Sequence, residues 1–313
     1  MIKRIFIRRL LLPLLLLAAS VQVNGQKDAL YYQYMFNHFI LNPAYAGIPG
    51  TMNMYMVDRY QWVGIPGAPN TIAFSIHTPI RQERVGIGMY VYADRLGPLG
   101  DYGVMANYAY RIKAWGGIVS FGVQFGVVKR WINWDLVEME DLDDIYLLTR
   151  PQPRLAPDVN FGVLYHNDKF FAGLSSKHLL EVTFADELVT TTTSFGVLSR
   201  HFYGYTGTFI PVTPQLIFKP TLLLKFVDDG SLYFDMNASF LYHNTLWLGA
   251  SFRSQTRTMV FLIELYLNKK LKIGYSYDTY LGDVHAYNIG SHEFMLGYTL
   301  NIYKEKIRHP FYF

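Results

Sequence analysis

GSLYFDMNASFLYHNTLWLGASFRSQ, residues 230–255, reads as two strands joined by a two-residue turn. In the first strand Leu232, Phe234, Met236, Ala238 and Phe240 alternate with Tyr233, Asp235, Asn237 and Ser239. Successive side chains of a strand point to opposite faces, so this segment has one apolar and one polar face. His243-Asn244 makes the turn. Leu246, Leu248, Ala250 and Phe252 then resume the apolar face, against Thr245, Trp247, Gly249, Ser251 and Arg253. Strands of about ten residues, apolar on one side, polar on the other and closed by very short turns, are the pattern of a transmembrane β-barrel. A soluble β-sandwich gives the same alternation, so one hairpin leaves both open.

The unit repeats. Candidate strands start near Thr51, Pro69, Val85, Asp101, Gly117, Ala156, Asp168, Ser194, Thr213, Gly230, Asn244, Arg257, Lys270 and Gly290. That predicts an all-β antiparallel barrel of about 14 strands, at about 20 residues per strand and connection. His166-Asn167, His243-Asn244 and Asn268-Lys269-Lys270 are tight connections and follow even-numbered strands. The long ones, Trp131 to Leu155, Leu179 to Thr193 and Leu281 to Ile289, follow odd-numbered strands. Outer-membrane barrels segregate short periplasmic turns from longer extracellular loops in this way. A sandwich has no reason to do so.

Composition agrees. The chain has 313 residues with 25 Tyr, 22 Phe and 5 Trp, and only 17% are charged. After the N-terminus no window reaches the roughly 18 apolar residues of a membrane helix. The absence of cysteine excludes disulfides and thiolate metal sites. The net charge of +4 owes much to Lys3, Arg4, Arg8 and Arg9, so it does not indicate nucleic-acid binding. Those residues, the apolar run Leu10 to Ala19 and Val23-Asn24-Gly25 before Gln26 read as a cleaved export signal over residues 1–25. Residues 26–50 then form a periplasmic lead-in or plug, 51–303 the barrel and 304–313 a C-terminal tail.

Within the lead-in lies QYMFNHFILNPAYAG, Gln33 to Gly47. It resembles the opening of the PorP/SprF family of type IX secretion system membrane proteins of Bacteroidetes. Further family-like stretches follow in order: QWVGIPGAPN (61–70), VGIGMYVYADRLGPLG (85–100), FFAGLSSKHLL (170–180), KPTLLLK (219–225), LWLGASFRS (246–254), LKIGYSYD (271–278) and SHEFML (291–296). The likeness covers nearly the whole chain after residue 25. His38 departs from the pattern, since many members carry Pro there.

The resemblance implies a non-catalytic part in protein secretion and, in some bacteria, gliding motility. A core-type member connects the outer membrane to the periplasmic ring proteins PorK and PorN and to a peptidoglycan-binding PorE-like protein. A SprF-type member serves one secreted surface adhesin. The modest loops favour the first role, and a passive porin is a third reading. Expected partner-binding residues are Gln33, Tyr34, Met35, Phe36, Asn37, Asn42, Pro43 and Tyr45 in the lead-in and Lys304, Lys306 and Arg308 in the tail.

The strand register turns Asn107, Arg111, Lys219, Lys225, Asp235, Arg253, Glu264, Lys272 and Asp278 toward the lumen, with Gln124, Arg130 and Asn237. Charges of both signs inside a barrel settle one another, and a selective aqueous path is the sharper alternative. Tyr108, Tyr110, Tyr165 and Tyr298 fall at outward strand ends, where tyrosines form an interfacial girdle. No cofactor is expected. Six acidic residues between Asp135 and Asp144 lack the spacing of a calcium loop. Ser291-His292-Glu293 is no catalytic triad, because neighbours in a strand face opposite ways.

Overall fold

Strand pairs with next strand around the whole sheet. The computed structural model describes residues 31–80, 84–137, 153–185, 194–281 and 289–301. Its strands are β1 (Met52–Tyr60), β2 (Asn70–Ile80), β3 (Val85–Leu96), β4 (Leu99–Ala114), β5 (Gly117–Ile132), β6 (Arg154–His166), β7 (Phe170–Lys177), β8 (Thr183–Ala185), β9 (Ser194–Val197), β10 (His201–Thr208), β11 (Ile210–Thr213), β12 (Leu216–Val227), β13 (Leu232–Tyr242), β14 (Leu246–Arg253), β15 (Thr258–Tyr266), β16 (Leu271–Tyr280) and β17 (Ser291–Leu300). β10 and β11 both pair with β12 and form one wall strand interrupted at Phe209. β1 pairs with β17, which closes the sheet into a barrel of 14 antiparallel strands. Closure leaves no open sheet edge and pairs backbone groups that lipid cannot satisfy.

The barrel is apolar outside and polar inside. Along β13 the exposed side chains are Leu232, Met236, Ala238, Phe240 and Tyr242, and the buried ones Tyr233, Asp235, Asn237, Ser239 and Leu241. Val104, Phe125, Leu248, Phe261 and Phe294 continue the outer belt. Tyr110, Trp115, Tyr242 and Tyr298 stand exposed at one rim, and Tyr60 and Tyr102 at the other. These are the aromatic girdles of a membrane-embedded barrel. Among the described residues no helix is long and apolar enough to cross a membrane.

Connections sort by end. At one rim lie 81–84, 115–116, 167–169, 214–215, 243–245 and 267–270, none longer than four residues. At the other lie 61–69, 133–153, 178–200 and 281–290, together with the short 97–98, 228–231 and 254–257. The β13–β14 turn shows why the first rim is tight. His243 (φ 48°) and Asn244 (φ 53°) are both left-handed, and the Thr245 N–H donates to the Tyr242 carbonyl at 3.0 Å. This is the type I′ geometry whose twist matches the flanking strands.

One strand start needs correcting. The wall strand expected near Ser194 begins at His201, whose neighbours Lys177 and Val227 fix its register from both sides. Ser194–Val197 pairs instead with Thr183–Ala185, in a separate two-stranded ribbon within the loop. Residues 1–30, most of the acidic stretch 135–144 and the tail from 302 lie outside the described residues.

Candidate functional site: the filled lumen

Residues 31–46 run through the barrel rather than beneath it. Every side chain from Tyr31 to Ala46 is buried. Three single-turn 3-10 helices carry the segment: Gln33–Met35, His38–Ile40 and Pro43–Tyr45. A helix so short presents no continuous face, so the segment buries itself by contact with the wall on all sides.

Its backbone groups are satisfied by strand side chains. Near the long-loop rim, the Tyr32 and Gln33 N–H groups donate to the Glu293 carboxylate at 2.8 Å each. Gln33 Nε2 donates to the Glu293 carbonyl at 3.1 Å. Arg253 Nη2 donates to the Tyr31 carbonyl at 3.0 Å. Midway, Lys219 Nζ donates to the Met35 carbonyl at 3.0 Å and Ser175 Oγ to the Leu41 carbonyl at 2.7 Å. Towards the short-turn rim, Asn107 Nδ2 reaches the Pro43 carbonyl at 3.1 Å, Ser120 Oγ the Ala44 carbonyl at 2.6 Å and Arg111 Nη1 the Ala46 carbonyl at 2.9 Å. A buried backbone group without a partner costs about 1–3 kcal/mol, so this ladder fixes the plug's path.

Asn42 joins turn and wall. Its Oδ1 accepts from the Ala44 N–H at 2.8 Å, capping the helix that starts with Pro43. Its Nδ2 donates to the Val163 and Leu174 carbonyls at 3.0 and 3.2 Å. The wall makes room with glycine. A Cβ on Gly122 would overlap the Pro43–Ala44 backbone, and one on Gly162 would overlap the Asn42 side chain. Such glycines mark a second backbone in close approach.

The lumen charges are grouped, and most of them are buried. Arg59 lies 3.4 Å from Glu293 and 3.9 Å from Asp278. Arg253 donates to Asp235 at 2.8 Å, and Lys272 sits 3.4 Å from Glu264. Arg130 grips Asp101 with two bonds of 2.7 and 2.6 Å. Asn160 Nδ2 donates to Gln124 Oε1 at 2.7 Å, and Ser239 Oγ to Asn237 Oδ1 at 2.6 Å. The Arg59 and Arg253 guanidiniums lie 3.8 and 4.5 Å from the Tyr32 ring centre. Lys225 lies 6.0 Å from the Tyr203 ring.

His38 is a buried polar residue of the plug whose ring packs among aromatic side chains. Its ring stacks on Tyr205 at 5.2 Å, and neither nitrogen has a hydrogen-bond partner among the described residues.

Gln33, Tyr34, Met35, Phe36, Asn37, Asn42, Pro43 and Tyr45, the partner-binding residues expected in the lead-in, lie inside the lumen rather than at a rim. All eight are buried within the barrel. Lys304, Lys306 and Arg308 lie outside the described residues. Glu293, Arg59, Ser120 and Ser175 were missed as plug contacts. The available signal was glycine at inward strand positions such as Gly122 and Gly162, which calls for something inside. In the 291–293 stretch, Ser291 and Glu293 are buried while His292, half-exposed, contacts Tyr275 on the outer face.

A sequence profile described as "Type IX secretion system membrane protein PorP/SprF" matches residues 23–298. The chain belongs to the PorP/SprF family. A PorP/SprF protein is a membrane component of type IX secretion, and this one is an outer-membrane β-barrel. Membership implies work alongside other components of that system. No curated protein sequence matches it. Among solved structures it is similar to the CymD monoaromatic hydrocarbon channel, with TM-score 0.50, 12% identity and coverage of 88% of this chain and 94% of that one. The Ralstonia pickettii toluene transporter TbuX aligns with TM-score 0.50, 11% identity and coverage of 88% and 95%. At such identities these likenesses speak for the barrel fold alone.

Proposed function

We propose that this PorP/SprF protein is a closed, non-catalytic platform that connects other type IX secretion components to the outer membrane. The observation that carries this reading is the plug. Residues 31–46 fill the lumen and are tied to the wall from rim to rim. A lumen filled in this way argues against a passive porin. The protein's work then falls to its two ends.

On this reading the short-turn rim faces the periplasm, and the ring proteins PorK and PorN with a PorE-like peptidoglycan binder dock there. With residues 31–46 committed to the lumen, the basic tail Lys304, Lys306 and Arg308 becomes the first candidate contact. The test is affinity purification of the tagged protein from its own outer membrane, with and without residues 304–313. Recovery of ring proteins that drops on deletion supports the assignment. Full recovery without the tail removes the tail from it. A single large secreted protein as the sole prey would replace the ring role by a cargo-specific one.

A further inference from the structure

We infer that the short-turn rim docks an acidic protein surface, through a one-sided arc of cations and the projecting side chain of Trp115. The inference deepens the ring-docking reading and rests on it, since it names the chemistry of the partner's face. Arg84, Lys113, Lys169, Lys269 and Lys270 are all exposed in or beside the short turns. None of them forms an ion pair among the described residues. Asp168 is the one acid in these turns among the described residues. Outside the described residues, Arg81 and Glu83 offset each other in the sequence, and the tail adds Lys304, Lys306 and Arg308 against Glu305.

The cations are not spread evenly. They sit at the β2–β3, β4–β5, β6–β7 and β15–β16 turns, and the chain leaves β17 toward the tail between the first and last of these. The two remaining turns, 214–215 and 243–245, adjoin each other and carry no Lys, Arg, Asp or Glu. Lipid surrounds a barrel on all sides, so cations that serve only head groups have no reason to stop part-way round. An open arc suits a partner seated on one side, and its sign calls for carboxylates opposite. Lys113 agrees with this. By strand alternation it shares the inward face of β4 with Arg111, so it lies at the barrel mouth and not on the lipid face. Trp115 supplies the anchor. β4 runs four residues past its last pair with β3, Tyr110 with Val85, so the β4–β5 hairpin projects. At its tip Trp115 is 86% exposed and left-handed, with φ 50°. Gly and Asn suit that conformation, and a bulky side chain does not. The Tyr165 hydroxyl donates to the Trp115 carbonyl at 3.1 Å and steadies the turn. An indole kept in the open at such a position is the kind of side chain that carries binding energy at an interface. The partner face therefore presents carboxylates around an apolar pocket.

The test purifies the tagged full-length protein from its own outer membrane and quantifies the ring proteins recovered with it. Heat modifiability first shows that each variant folds, as substitutions in exposed turns should allow. Lys113→Glu, Lys269→Glu and Lys270→Glu combined, and Trp115→Ala alone, should each lower recovery about tenfold. Arginine at the same three lysine positions should preserve it. Raising salt from about 0.1 to about 1 M shortens the screening length from roughly 10 to roughly 3 Å and should release the partner. Gln215→Glu with Thr245→Glu, on the uncharged side of the rim, should leave recovery unchanged. Recovery that withstands the charge reversal overturns the inference while the ring-docking reading stands. Full recovery with Trp115→Ala overturns the anchor. No ring protein recovered with the wild type at low salt overturns both the inference and the reading beneath it. Unchanged recovery together with loss of co-purified phosphatidylglycerol from the charge-reversed variant makes the arc a lipid contact, which also overturns it.

Discussion

Gln33 and Glu293, 260 residues apart in the chain, hold each other through two hydrogen bonds. The Gln33 N–H donates to Glu293 Oε1 at 2.8 Å, and its side-chain amide donates to the Glu293 carbonyl at 3.1 Å. One bond fixes the plug's backbone and the other its side chain. The same carboxylate faces Arg59 at 3.4 Å, so a single acid couples the plug, β17 and the end of β1.

Glu293→Ala removes the carboxylate from Arg59 and from two plug N–H groups. Asp278 still faces Arg59 at 3.9 Å, so the loss should fall at or below the roughly 3–5 kcal/mol typical of breaking a buried ion pair by removing one partner. Urea unfolding in lipid vesicles should show a loss of that order. Glu293→Gln keeps an acceptor for the plug and should lose less. Equal stability of Glu293→Ala and the wild type would mean the latch contributes nothing.

Gly122→Ala places a Cβ on the Pro43–Ala44 backbone. Forcing an atom into a packed interior costs typically about 1–3 kcal/mol, and here the plug has to shift. Gly204 is a matched control on the outer side of β10, where the nearest contact to an added Cβ is the Leu174 side chain at 3.4 Å. Gly204→Ala should change stability by less than about 0.5 kcal/mol. The heat-modifiable band on denaturing gels reports both, and the two substitutions should separate clearly.

His38→Phe should stabilise the barrel. The imidazole nitrogens have no partner among the described residues, and the ring already packs among Tyr45, Phe171 and Tyr205. Removing two unsatisfied polar atoms recovers about 1–3 kcal/mol. Thermal unfolding in lipid vesicles should show a higher midpoint for His38→Phe than for the wild type, and a lower one would contradict this.

Phe261→Arg tests the lipid belt. Phe261 is exposed on the outer face near the middle of β15. An arginine at the bilayer midplane costs a barrel about 2–4 kcal/mol. Folding titrations into phosphatidylcholine vesicles should show that loss. A variant as stable as wild type would place this face outside the hydrocarbon.

Much of the barrel was legible because a membrane strand writes its two faces into alternate residues. The 230–255 hairpin, the strand number and the grouping of long connections all follow from that period and from turn chemistry. The eighth wall strand was misplaced because Ser194–Val197 also adopts a strand, and only its partners distinguish a ribbon from the wall. The plug was less legible for a physical reason. It is buried all round, so its sequence carries no period, and the apolar run around Asn42-Pro43 suits a lead-in as well as a filler. What betrays it is elsewhere in the chain, in the inward glycines at 122 and 162 and in Glu293, whose partner lies 260 residues away.

The most direct measurement is single-channel conductance in planar bilayers, comparing the full chain with a variant lacking residues 31–46. Both should first be shown to fold by heat modifiability. The filled lumen predicts a silent wild type and stable conducting steps after deletion. A stable open pore in the wild type, or a folded deletion variant that remains silent, would contradict the plugged barrel.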